Sequence, residues 1–377
     1  MAEVNNDRGI KWYSTREPLI LIVLSTLAIV FFVAVSALSR TLHTRQELLG
    51  ERWFRRATAD QKAGHLDRAI GEFQAAELYS RDSFLSQLSL AQVLAVQGRT
   101  DEAYSYLLNL REQQPDNGTV NLELARILAR KGDITQTTRY YHNAIYAIWP
   151  NDPDEHRIAV SLELIEFLFA NNVNTQAQSE LIAMASNLPT DAAVHTRVGN
   201  LFMKAQDYDH ALEQFREAIR IDRRNSAALA GAGRASFELA HYTSARRYLE
   251  EALAITPNDS ANTDLLTTVT LALDMDPFRR KISVSQRNQA VMEAFATAGA
   301  RLQTCPPSTT ESSFEDRWKE MKPHVSEAGL RRNPDLVESA MDLAFAVEEQ
   351  SSSQCGAPSG KDLALLLVSK LHEGSER

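Results

Sequence analysis

Cysteine is nearly missing from this chain: its 377 residues contain two, Cys305 and Cys355. Two cannot build a disulfide scaffold or a cysteine-rich metal site, although they could form one bridge. Nine histidines are scattered without His-Glu-x-x-His or any other ligand spacing, so no metal site is expected. Positive charge is not in excess either, with 40 Lys and Arg against 49 Asp and Glu. Nucleic acid, which needs a concentrated basic face, is excluded as the main partner. Signatures of phosphate and acyl chemistry are missing as well. Gly356-Ala357-Pro358-Ser359-Gly360-Lys361-Asp362 comes nearest, but its glycines are four apart and Asp362 stands where a phosphate loop needs a hydroxyl. No Gly-x-Ser-x-Gly elbow occurs. The acidic run Asp152-Pro153-Asp154-Glu155-His156 could attract a cation, yet such clusters usually mark solvated turns. These absences argue against an enzyme or a cofactor protein.

One apolar run is long. Pro18 to Leu38 holds 21 residues without a charge, which as a helix spans about 30 Å, the thickness of a bilayer core. Residues 18–39 are therefore read as a transmembrane helix behind a tail of residues 1–17, with Pro18 at the helix start where its missing N–H costs nothing. The alternative is a signal peptide cut after Ser36 or Ala37, against which the run exceeds the usual ~7–15-residue apolar core. Flanking charge is nearly balanced. Arg8, Lys11 and Arg16 precede the span, and Arg40, Arg45 and Arg52 follow it, while Arg55 and Arg56 further on favour a cytoplasmic body. The cysteines pull the other way, because each follows an expected helix and precedes Pro or Gly, where two helix ends could meet. A bond there implies an oxidising compartment. The reading tips toward an extracytoplasmic body, with a cytoplasmic one as the alternative.

Beyond the span the sequence echoes itself every 34 residues. Ala69/Phe73/Ala76, Ala103/Leu107/Leu110 and Thr137/Tyr141/Ala144 are followed, after one interval of 40, by Ala177/Leu181/Met184, Ala211/Phe215/Ala218 and Ala245/Leu249/Ala252. Gly64, Gly98 and Gly132 fall at the same step and suit a left-handed turn at a helix end. Asn172, Gln206 and Ala240 take that place later, so those turns must use less permissive residues. Pro115, Pro189 and Pro257 close units at matching positions, with Pro150 one place late after Trp149. The added residues fall at Asn151 to Arg157 and are read as a longer loop.

This pattern resembles the tetratricopeptide repeat family over residues 50 to 257, more than half of the chain. Trp53 sits at the family's Trp position, and Leu90-Ala91, Leu124-Ala125, Val198-Gly199 and Ala232-Gly233 at its Leu-Gly positions. The resemblance implies an all-α superhelical solenoid of about six helix pairs at residues 50–276, closed by a capping helix near Ala261 to Met275. It also implies a scaffold that recruits or assembles a protein or peptide partner, tethered to a membrane through residues 18–39. A single-pass protein of a bacterial inner membrane fits that description. The family's inward positions fall on Leu85, Leu88 and Gln92, on Leu122 and Arg126, and on Leu162, Glu166 and Phe169. Later units contribute Thr196, Asn200, Met203, Arg234 and Phe237. Such a surface suits an extended segment or an amphipathic helix. Asn200 matches a carboxylate clamp only in part, since no Lys accompanies it.

Residues 277–377 break the pattern. Four helical stretches are expected, Val284–Thr304, Phe314–Gly329, Pro334–Glu349 and Lys361–His372, with loops at Pro306-Pro307-Ser308 and Ser351-Ser352-Ser353. An enzyme or enzyme-accessory activity housed in this region is the alternative to the scaffold.

Overall fold

The computed structural model describes residues 16–80, 83–305 and 313–373. The expected tail before residue 16 and the Pro306-Pro307-Ser308 loop lie outside them. Among the described residues all regular structure is helical, apart from one isolated bridge between Asn117 and Ile148. The chain divides into two compact units, residues 1–172 and 173–377.

The first unit contains α1 (Arg16–Lys62), α2 (Leu66–Tyr79), α3 (Phe84–Val96), α4 (Thr100–Gln113), α5 (Gly118–Lys131), α6 (Ile134–Ile145) and α7 (Pro153–Ala170). Its first helix extends well beyond the apolar span. The apolar span and the opening helix of the first repeat are one uninterrupted helix of 47 residues. Ile20 to Leu42 leaves its large apolar side chains exposed, whereas the far end packs on α2 through Phe54 against Phe73, ring centroids 5.6 Å apart, and Arg56 against the buried Glu72 at 2.5 Å.

The second unit begins with α8 (Asn174–Ala185), α9 (Ala192–Lys204), α10 (Tyr208–Ile221), α11 (Ser226–Glu238), α12 (Tyr242–Ile255) and α13 (Ser260–Met275). It continues with α14 (Val284–Thr304), α15 (Ser313–Met321), α16 (Glu327–Arg332), α17 (Asp335–Gln354) and α18 (Gly360–Glu373).

Within each unit the echo residues are what the paired helices press together. Phe73, Leu107, Leu181, Phe215 and Leu249 are fully buried, as are the alanines four places before them, and Tyr141 is 2% exposed. Met184 is the member left partly open. Thr137, which replaces an alanine, carries a buried hydroxyl without a partner.

The tight turns keep one geometry whatever residue occupies them. Gly64, Gly98 and Gly132 have φ of 79°, 86° and 77°, and Asn172, Gln206 and Ala240 adopt 60°, 58° and 57°. At five of these turns the next residue's N–H reaches back five residues, as in Arg99 to Leu94 at 2.9 Å and His241 to Ser236 at 2.8 Å. A side chain in this region costs roughly 1–2 kcal/mol, and glycine returns roughly 0.4–1 kcal/mol of that through its unfolded-chain entropy. Ala240→Gly and Gln206→Gly are therefore each expected to raise stability by about 0.5–1 kcal/mol. A higher urea midpoint at unchanged slope checks this.

Helix starts are punctuated just as regularly. Ser83, Asn117, Asp191, Asn225 and Asp259 each accept a hydrogen bond from a backbone N–H in the first turn that follows.

The extra residues after Trp149 are only partly a longer loop. The link from α6 to α7, residues 146–152, is longer than those at 114–117 and 222–225, but Pro153 to Arg157 belong to α7, which runs 18 residues and is entered through Asp152 at φ 43°. Trp149 is buried beneath this entry. Its indole N–H donates to the Ala144 carbonyl at 2.9 Å, its ring stacks on His156 at 4.2 Å, and it lies so close to Gly118 that no side chain fits there.

The final region also differs from expectation. The second expected stretch splits into α15 and α16 around Pro323, and Ser351 to Ser353 belong to α17, with Ser351 buried. One apolar core runs across residue 277, joining Tyr242, Ala245 and Leu249 of α12 to Val269 and Leu273 of α13, Phe295 of α14 and Met341 of α17. Trp318 of α15 stacks on Phe295 at 3.6 Å. The main neighbour of α13 in the C-terminal region is the distant α18. Ala364, Val368 and Leu371 of α18 repeat the small, bulky, apolar spacing that α10 and α12 present to their own partners, and Ala364 and Val368 are fully buried. Cys305 and Cys355 are bonded across the ends of α14 and α17, with Cα atoms 6.2 Å apart.

Candidate functional site

The first helix of each pair contributes the positions that the repeat pattern marks as inward: α3, α5 and α7 in one unit, α9 and α11 in the other. Two neighbouring pairs of first helices touch directly, α3 with α5 and α9 with α11, and each pair shares a face.

In the first unit this face has an apolar base and a polar crest. Leu88, Leu122, Leu162 and Phe169 are between 3% and 9% exposed, so they pack between helices, while Leu85 is 57% exposed. Glu166 is exposed too. Gln92 donates to Glu123 at 3.3 Å. Arg126 makes a bidentate pair with Glu163, both bonds 2.9 Å, and reaches Glu123 at 3.1 Å. Tyr141, from the second helix α6, donates to the same Glu163 at 2.8 Å.

The charges respond to this arrangement. The hydrogen bond from Arg126 to Glu163 raises the guanidinium further above its ordinary value. Burial pushes the Glu163 carboxyl up, but the hydrogen bonds from Arg126 and Tyr141 outweigh it, and the net shift is downward. Burial, with the Glu163 charge beside it, drives the Tyr141 phenol well above its ordinary range. All three groups stay in one charge state at neutral pH. Arg126 thus holds adjacent repeats together while its side chain stays partly exposed.

Glu123 and Glu163 were not singled out in the sequence, and Tyr141 was marked only as the bulky packing residue of its repeat. The signal for the two carboxylates is one of register. Gln92 and Glu123 lie 31 residues apart and Arg126 and Glu163 lie 37 apart, each three residues short of the local repeat interval. Polar partners separated by one repeat less one helical step meet across neighbouring first helices.

The second unit presents a different face. Thr196 is 9% exposed; its hydroxyl donates to the Ala192 carbonyl at 2.6 Å and accepts from Asn225 at 3.1 Å. Met203 and Phe237 are half-buried, the latter tilted against Tyr242 at 5.9 Å. Asn200 and Arg234 occupy equivalent places one repeat apart and are exposed, as are Arg197 and Lys204. Positive charge and amide hydrogen-bonding capacity therefore collect over α9 and α11.

Elsewhere in this unit a cleft of about 650 Å³ is lined by His195, Glu213, Gln214, Glu217, Arg220 and His241, among others. Its polar groups largely satisfy one another: His195 meets Gln214 at 2.8 Å, and Arg220 pairs with Glu217 at 2.5 Å. Among the described residues no three His, Cys, Asp or Glu side chains are grouped so as to hold a metal ion.

Comparison with known proteins locates the family resemblance. A tetratricopeptide repeat family model matches residues 54–110, and a second tetratricopeptide repeat model matches residues 202–267. Each unit of the chain thus carries such repeats. No curated protein matches the sequence. Among solved structures, YrrB, described as a TPR protein with an unusual peptide-binding site, is 16% identical over 51% of this chain and 95% of its own, with a TM-score of 0.40. PilW, described as a widely conserved type IV pilus biogenesis factor, is 15% identical over 59% of this chain and 98% of its own, also with a TM-score of 0.40. MamA from Desulfovibrio magneticus RS-1, residues 41 to the end, is 15% identical over 47% and 97%, with a TM-score of 0.36.

Proposed function

We propose that this chain, with tetratricopeptide repeats in both of its units, is a single-pass membrane scaffold that recruits or assembles protein partners on the shared face of its first helices. The observation that carries the reading is α1. Large apolar side chains exposed from Ile20 to Leu42 have no place in water, and the same unbroken helix then supplies half of the first repeat. Such a continuous helix joins the anchor directly to the binding body. The Cys305–Cys355 bond supports a body on the oxidising side of the membrane, outside the cytoplasm of a bacterial cell.

Partner contact is assigned to the exposed members of the inward set, Leu85, Glu166, Asn200 and Arg234. The buried ones, Leu88, Leu122, Leu162 and Phe169, shape the floor beneath them. Full-length chain is expected to stay in the membrane pellet after alkaline carbonate extraction, and a variant lacking residues 1–39 to be soluble. Photo-crosslinkers placed at Asn200 or Arg234 should capture a protein that one placed at Glu213 of α10 does not. A mature chain whose mass shows cleavage after Ser36 or Ala37 would overturn the anchor, and equal capture from Glu213 would overturn the binding face.

A further inference from the structure

Glu348 of α17 is 1% exposed, and neither of its carboxylate oxygens has a hydrogen-bond partner. Ionising a carboxyl in such a place is strongly unfavourable, and the group responds by keeping its proton. Burial pushes the Glu348 carboxyl up to about 7, Asp362 of α18 pushes it the same way, and Arg301 of α14 opposes them.

The charged groups around it belong to the helices that meet there. From α14 come Arg301, which lies 3.9 Å from Asp362 and donates to the Gly356 carbonyl, and Glu293, which pairs at 2.7 Å with Lys361 of α18. The ion pairs of α15 and α16, Lys319 with Glu315 and Arg331 with Glu327, are internal to those helices. At the far end of α18, His372 meets Asp276 at 3.0 Å.

An ionised Glu348 can be hydrated only if a neighbouring helix moves. Helices α14 and α17 pack closely and are bonded at their ends through Cys305 and Cys355. Helix α18 has no such bond. It follows a short link containing Gly356 at φ 87° and opens on Gly360 at φ 57°, and it carries Asp362, the charge that an ionised Glu348 would repel.

We propose that α18 is a strap, seated on α13 while Glu348 is protonated and released when Glu348 ionises. Release uncovers the apolar face formed by Val269, Ala272 and Leu273, which Ala364, Leu365 and Val368 otherwise help to close. The direction follows from linkage. A carboxyl whose seated value lies above its ordinary one stabilises the seated form fully below its ordinary value, about 4.5, and loses that contribution as pH rises through about 7. Across that window seating weakens by up to about tenfold per pH unit.

Hydrogen exchange of the full chain in detergent tests this, at about pH 5.5 and about pH 8, either side of most of that change. After correction for intrinsic exchange, protection of α18 is expected to fall by roughly tenfold or more at the higher pH, with α10 to α12 unchanged as the internal reference. Glu348→Gln, which is neutral at both values, should keep α18 protected at both. Asp362→Asn, which removes the repelling charge without touching the buried site, should reduce the fall. Equal protection of α18 at the two values, or the same fall in Glu348→Gln as in the unaltered chain, would overturn the strap.

Discussion

Phe215→Ala is expected to destabilise the second unit by about 3–5 kcal/mol, the usual range for emptying a fully buried aromatic site. Phe215 is 0% exposed, and its ring lies against Gly199 of α9 and Gly231 of α11. A Cβ added at Gly199 would stand 2.7 Å from the ring, and one at Gly231 would stand 2.4 Å from it. The ring therefore wedges between two successive first helices. The converse change makes the prediction specific. Gly231→Ala alone should cost about 1–3 kcal/mol by overpacking, yet in the Phe215→Ala background the added methyl has room and should be neutral or mildly stabilising. Urea denaturation followed by circular dichroism on the four proteins reads the coupling. Additive effects would show that the glycines matter for some other reason.

Removing the Cys305–Cys355 bond is the second large effect. The bridge closes a segment of 50 residues, for which the chain-entropy relation gives about 4 kcal/mol. Within that segment α15 and α16 are only nine and six residues long. Helices of that length do not persist in water without tertiary support. Here the support is Trp318 stacked on Phe295 and Leu330 buried in the shared core. Replacing both cysteines by serine should therefore lower the stability of the C-terminal part by about 4 kcal/mol, and a reductant should do the same to the unaltered chain. Exchange protection should fall first in α15 and α16, and α9 to α12 should be little affected. A double variant that unfolds within about 1 kcal/mol of the original would mean that the packing of α14 on α17 suffices without the bond.

Much of the fold was legible because the repeat constraint is local and periodic. The small residue, the bulky residue four places later and the turn residue two places before the second helix each answer to a contact within one helix pair. Their spacing therefore survives in the sequence. The caps at Ser83, Asn117, Asp191, Asn225 and Asp259 keep the same step, two residues after Pro115, Pro189 and Pro257 in three cases. Gln206 and Ala240 show the limit of residue type as a guide, since they adopt the left-handed turn that glycine adopts elsewhere because the packing around them demands it. Three features were not legible. The helical extension of α7 depends on Trp149 finding the space above Gly118, a contact across 31 residues. The pairing of α13 with α18 joins segments separated by α14 to α17, so no local period could announce it. The Arg126, Glu163 and Tyr141 cluster was half visible: the arginine stood at an inward position, but the carboxylate and the phenol that hold it are set by the register between helices.

The unbroken course of α1 has a mechanical consequence for the membrane reading. A helix advances about 100° per residue, so the direction in which the first repeat looks, relative to the faces of the apolar span, is written into the number of residues between Leu38 and Gly50. Inserting one alanine there would lift the body by only about 1.5 Å but turn it by more than a quarter of a revolution, and four alanines would nearly restore its heading one turn higher. Azimuth, not reach, is what this stalk holds constant.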